Sequence, residues 1–157
     1  MSDQTTQRIA HFIRDTVIDD LPADVQHEAV RSFVNWVGCT MSGAQHPATQ
    51  IAMQVSREFS GAPAATLLGQ SRNLDVLNTA FINCLASSVY GFNDTHLATV
   101  IHPAGPVAAT LLSLAERMAG RGESMSGVQF QLALTLGIEV SCQLGVALLS
   151  PPAQGEL

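Results

Sequence analysis

The sequence predicts an all-α protein, a bundle of helices packed around one core. Apolar residues recur at three- and four-residue spacing over most of the chain, and glycine and proline fall between segments of helical length. No internal repeat, low-complexity tract or linker divides it. A chain of 157 residues and 16.6 kDa is long enough for one domain with a real core. That domain is taken as residues 1–150, with 151–157 as a short tail.

The first helix is expected over Thr5–Ile18, where Ile9, Phe12, Ile13 and Val17 form a stripe. Asp20-Leu21-Pro22 restarts the chain, with Pro22 suited to a first turn and Asp24 favourable near a helix N-terminus. From Pro22 to about Ser42, Val25, Ala29, Phe33, Trp36, Val37 and Thr40 share one face, and Gly43 is a plausible stop. A third helix covers Pro47–Phe59, before Gly61-Ala62-Pro63. Ala64–Leu68, closed by Gly69, is too short for a helix and is expected to run extended. Asn73–Val89 returns to helical spacing through Leu74, Leu77, Phe81 and Leu85.

After a polar loop, a helix starting between Pro103 and Pro106 carries Val107, Leu111, Leu114, Ala115 and Met118 up to Gly120 and Gly122. The later start is preferred, because Pro106 disfavours a helical Gly105. Ser126–Leu149 completes the set, apolar on nearly every side, as expected of the central member of a bundle. Pro151-Pro152 ends it.

Charged residues make up 13% of the chain and hydrophobic residues 46%, so an apolar face is expected to remain after a monomer folds. The net charge is -6, lysine is absent and the seven arginines are scattered, which argues against nucleic-acid binding. Cys39, Cys84 and Cys142 are far apart without CxxC spacing and read as buried thiols of a reducing compartment. Met1–Ala10 has no apolar signal core, and the long apolar run Val128–Leu149 carries Glu139 near its middle, costly in lipid. A cytoplasmic protein without a membrane partner is expected.

Chemistry is sought in Asp94-Thr95-His96-Leu97-Ala98-Thr99-Val100-Ile101-His102-Pro103-Ala104-Gly105-Pro106. His102 stands at the N-terminus of the following helix, where the dipole and free N–H groups favour a neutral imidazole beside a bound anion. Gly105 allows a ligand close to the backbone, while Asp94, Thr95 and Thr99 can orient an imidazole or donate to substrate oxygens. Such a group supports proton abstraction beside a carboxylate with elimination of a neighbouring group. The same residue types also populate ordinary connecting loops, where Asp94 and Thr95 simply cap turns. A metal held by His96, His102 and Asp94 is disfavoured, since their spacing shares no helical face. Glu139 reads as a satisfied core carboxylate, His11, His27 and His46 as surface or helix-start residues, and Trp36 and Phe33 as core.

At these residues the chain resembles the MmgE/PrpD family, which includes 2-methylcitrate dehydratases, cis-aconitate decarboxylases and iminodisuccinate epimerases. The ordered match runs through Ile9–Ile13, Leu21–Val25, Asn35–Gly43, Ala65–Gly69, Leu77–Asn83, the Asp94-Thr95-His96 loop with His102-Pro103, and Gly137–Val140. The resemblance implies the N-terminal part of a large helical domain. It also implies a cofactor-independent and metal-free lyase or isomerase acting on small polycarboxylates, with 2-methylcitrate dehydration as the first choice, and a homodimer. Asp94, Thr95 and His102 are implied as catalytic and His96 and Gly105 as substrate-binding. Ser88 stands where the family usually has histidine, Gly91 and Asn93 where it has aspartates, and Gln143 where arginine is common. Family members continue into a second domain with a further histidine loop and functional lysines, so these residues alone are expected to make an incomplete, inactive site. The alternative is a truncated or non-catalytic helical module that binds a partner or dimerises.

Overall fold

The computed structural model describes residues 2–149 and is built from six helices and one short hairpin. The helices are α1 (Ser2–Asp15), α2 (Ala23–Gly43), α3 (Pro47–Ser56), α4 (Val76–Ser88), α5 (Ala104–Ala119) and α6 (Gly127–Leu149). A single 3-10 turn at Ile18–Asp20 links α1 to α2. The all-α expectation holds. The expected tail at 151–157 lies outside the described residues.

Packing radiates from α4, which lies against α2, α3, α5 and the hairpin. Its faces toward α2 and α5 carry small side chains, so backbones come close. A Cβ on Gly43 at the end of α2 would collide with the carbonyl oxygen of Ala86. Ala104, Ala108 and Ala109 of α5 are fully buried. Beside them Trp36 of α2 and Leu134 of α6 form one apolar cluster, flanked by Phe33, Val107 and Ile138. A second cluster of Met53, Leu67, Leu74 and Ile82 lies under the hairpin.

The hairpin pairs β1 (Ala65–Thr66) with β2 (Asn73–Leu74), antiparallel, in the register Ala65 to Leu74 and Thr66 to Asn73. Gly69 in its loop has φ +73, a conformation that costs glycine little and other residues more. Two buried or half-buried polar side chains tie it down. Asn83 of α4 accepts from the Leu68 amide and donates to the Thr66 carbonyl, and Glu116 of α5 accepts from the Thr66 amide at 2.7 Å.

Several boundaries differ from the expected ones for local reasons. Asn73 and Leu74 belong to β2, and α4 starts only at Val76, because Asp75 caps it through the amides of Leu77 and Asn78. The third helix stops at Ser56, short of Phe59. The fifth starts at Ala104, earlier than preferred: Pro106 falls in the first turn, where a missing N–H breaks no helical bond, and a glycine before proline has no Cβ to clash.

The largest correction concerns α6. It is not the central helix. Among its described residues only Leu134, Leu136 and Gly145 are buried, and it lies on one side of α2 and α5. Glu139, expected in the core, is exposed and accepts a hydrogen bond from Gln143. The stripe expected of the first helix is also open to solvent, at Phe12 and Ile13 of α1 and at Val17 just beyond its end, and the three cysteines are half-buried.

Candidate acid–base loop

The segment between α4 and α5 is fastened to three helices, one contact each. On α2, the side-chain amide of Asn35 donates to the Phe92 carbonyl. The Asp94 carboxylate accepts the Ala104 amide at the start of α5, 3.0 Å away, and so satisfies one of the orphan donors of that helix. On α6, Gly145 leaves room for Thr99 and Ile101: a Cβ there would come within 3.3 Å of the Thr99 side chain and 3.1 Å of Ile101 Cδ1.

Within the segment, residues 96–101 close on themselves. The His96 amide donates to the Ile101 carbonyl, and the Thr99 and Val100 amides both donate to the His96 carbonyl. Val100 closes the turn at φ 56, an uncommon conformation for a β-branched residue.

This folding brings Asp94, Thr95 and His102 together. The His102 Nδ1 lies 2.6 Å from the Asp94 backbone oxygen and 3.2 Å from Thr95 Oγ1. A carbonyl oxygen only accepts, so Nδ1 carries the proton, and a neutral His102 keeps its lone pair on Nε2. Nε2 of an exposed imidazole with that tautomer is a proton acceptor. Burial raises the Asp94 carboxyl above its ordinary range, opposed by the Ala104 amide and the charge of His102. A carboxyl of that kind is suited to holding a proton closer to neutrality than an exposed aspartate does.

His96 lies in the same turn, its Nδ1 2.7 Å from Thr99 Oγ1. Gly105 is buried, and a Cβ there would meet Ser87 Oγ at 3.4 Å and Cys84 Sγ at 3.6 Å. Its smallness serves the contact of α5 with α4.

A cleft of about 340 Å³ beside the loop is lined by Glu28, Arg31, Ser32, Asn35, Phe92, Asn93 and Asp94. Arg31, the one basic lining residue, is already paired with Glu28 at 2.7 Å. Burial raises the Cys39 and Cys142 thiols, reinforced by the charge of Asp94 at Cys39 and by those of Glu139 and Asp94 at Cys142. The Asn93 side-chain N–H group is buried without a partner among the described residues. Gly91, at φ +70, has open space where a side chain would be. Among the described residues no three His, Cys, Asp or Glu side chains gather as a metal site requires. Thr99, Gly145 and Asn35 are the loop's supports that sequence patterns did not single out as a set, because each acts through a contact distant in sequence.

Fold and loop together define a helical domain that presents an exposed imidazole and a half-buried carboxylate in one loop. Residues 7–155 match the MmgE/PrpD N-terminal domain, and the chain belongs to that family. It is 25% identical over 143 residues to a cis-aconitate decarboxylase of Aspergillus terreus, covering 91% of this chain and 29% of the relative. It is 23% identical over 145 residues to a cis-aconitate decarboxylase-like protein, oryM, of Aspergillus oryzae, covering 91% of this chain and 30% of the relative. The chain thus spans less than a third of the length of the curated relatives it matches.

Proposed function

We propose that this chain is the N-terminal helical part of a cytoplasmic enzyme that acts on small polycarboxylates without a metal or organic cofactor. The observation that supports it most is the fixed tautomer of His102, whose Nδ1 is held by the Asp94 backbone oxygen so that the lone pair is left on Nε2, in the loop that also carries the raised carboxyl of Asp94. In this reading His102 accepts or returns a proton at the carbon next to a substrate carboxylate, Asp94 handles the second proton, and Thr95 donates to a substrate oxygen. Both candidate reactions use the same pair. Dehydration of a 2-methylcitrate-type substrate takes a proton from carbon and releases hydroxide as water. Decarboxylation of a cis-aconitate-type substrate replaces a carbon–carboxylate bond by carbon–hydrogen and needs one proton delivered. Likeness to the Aspergillus decarboxylases favours the second reaction, and resemblance to the wider family allows the first.

The loop supplies little positive charge for an anionic substrate. Arg31 is occupied by Glu28, and the amide at the start of α5 is occupied by Asp94. Charge neutralisation of the polycarboxylate is therefore assigned to residues outside this chain, which makes the chain alone inactive. A non-catalytic dimerising module is the second reading, favoured by the glycine at 91 and the orphaned amide of Asn93 where carboxylates are usual.

The test is turnover of cis-aconitate and of 2-methylcitrate by the full-length protein and its His102→Ala variant. Turnover of either by the wild type, lost by at least about 100-fold in the variant with helicity unchanged, is expected of a general acid–base residue. Turnover retained in the variant removes His102 from the mechanism, and no turnover of either substrate favours the module.

A further inference from the structure

Thr99 touches nothing that reacts in the scheme above, yet it is 8% exposed and placed with more constraint than a connecting loop needs. Its hydroxyl meets His96 Nδ1 at 2.7 Å, and its amide donates to the His96 carbonyl. Its side chain rests against Gly145 of α6, where a methyl group would come within 3.3 Å of both Cγ2 and Oγ1. The turn is held shut by Val100 in a left-handed conformation, a strain that persists only where surroundings enforce it. Among the described residues Nε2 of His96 has no partner, so the ring is gripped by one nitrogen and offers the other.

We propose that Thr99, seated on Gly145, is a positioning residue that fixes the His96 imidazole by Nδ1 so that Nε2 meets a carboxylate of the ligand. The proposal rests on the reading of the loop as a polycarboxylate site. It adds α6 to the site's architecture: a helix that contributes no reacting group sets the orientation of one that binds. In the neutral ring the Thr99 hydroxyl donates to Nδ1, which leaves the proton on Nε2, the nitrogen that meets the carboxylate.

Two measurements test it. In the 157-residue chain labelled with nitrogen-15 histidine, long-range proton–nitrogen spectra report the ring state of His96, assigned by its loss in His96→Gln. A single fixed ring state is expected in the wild type and in Thr99→Ser, and averaging between tautomers in Thr99→Val, with Gly145→Ala between the two. Circular dichroism confirms that each variant keeps its helices, and an unchanged His96 signal in folded Thr99→Val overturns the grip. In the full-length protein, citrate serves as the probe ligand. Its Kd should rise about tenfold in Thr99→Val, the loss expected of one oriented hydrogen bond, and stay near the wild-type value in Thr99→Ser. Equal citrate affinity in wild type and Thr99→Val overturns the positioning role even if the spectra change. Absence of citrate binding by the wild type overturns the site reading itself and the ligand half of the proposal with it, while the spectra still decide whether the grip exists.

Discussion

Burial lifts the carboxyl of Asp94 above its ordinary value of 3.8, and the Ala104 amide and His102 oppose that rise without cancelling it. Between 3.8 and its folded value the native state binds more protons than the unfolded chain. The contribution of this group to stability is therefore greatest below 3.8 and is lost as pH rises through the folded value. An asparagine keeps an oxygen for the Ala104 amide and never carries the buried charge. Asp94→Asn should thus melt no lower than the wild type at neutral pH, with a flatter dependence of stability on pH above 3.8. On the proposed function, the full-length protein carrying it should lose about 100-fold or more in turnover, as for removal of a proton-handling group. Thermal melts across pH beside turnover assays check this. A lower melting temperature at neutral pH would mean that the carboxylate matters chiefly as a charge at the N-terminus of α5.

How far the site could be read at this scale depended on what each residue contacts. Asp94, Thr95 and His102 are near in sequence, and local chemistry was enough to bring them to one loop. A glycine packed against a neighbouring helix, as Gly105 is against α4, and a glycine that lets a ligand approach look alike in a sequence. Thr99 and Gly145 meet across 46 positions, a contact that no local pattern announces.

Among the elements, α2 shows how a single position decides a packing distance. Gly43 ends the helix as expected of a stop, but the reason is the close crossing with α4 and not a left-handed cap. A methyl group at Gly43 would be driven into the backbone oxygen of Ala86 and to 2.7 Å from Val89. Gly38, one and a half turns earlier in the same helix, has nothing within 4 Å of a built Cβ. Gly43→Ala should therefore cost about 1–3 kcal/mol or more through overpacking, well beyond the gain in helix propensity. Gly38→Ala should stabilise by up to about 1 kcal/mol. Chemical denaturation of both variants checks the contrast, and equal effects would refute the close crossing. Helix existence was legible here because the apolar spacing of α2 is long and regular. The start of α4 was not, because the cap Asp75 and the strand residues before it are polar-apolar pairs that fit either state. Asp75 accepts from Ser60, Gly61, Leu77 and Asn78, which holds its carboxyl far below the usual range.

For the whole molecule, α6 carries the largest unresolved demand. Its 23 residues have a mean hydropathy of 1.8 over the most apolar window, of which 22% is buried. Leu144, Val146, Leu148 and Leu149 are exposed, as is Phe12 of α1 across a cleft of about 440 Å³ that Leu144 also lines. Each large apolar side chain moved from water into a packed interface contributes about 1.5–3 kcal/mol, so covering even three of them is strongly favoured. A lipid bilayer is a poor cover, because Glu139 would enter its middle at a cost of about 2.5–3.5 kcal/mol. A second copy, or the rest of a longer chain, leaves Glu139 free to remain at a wet edge. The 157-residue chain by itself should accordingly associate in a concentration-dependent way through this face, as a dimer or non-specifically. Leu144→Glu with Leu148→Glu should shift sedimentation toward the monomer while helicity persists. A wild-type chain that stays monomeric at high concentration would refute the demand for cover. Undiminished association in the double variant would move the contact away from α6.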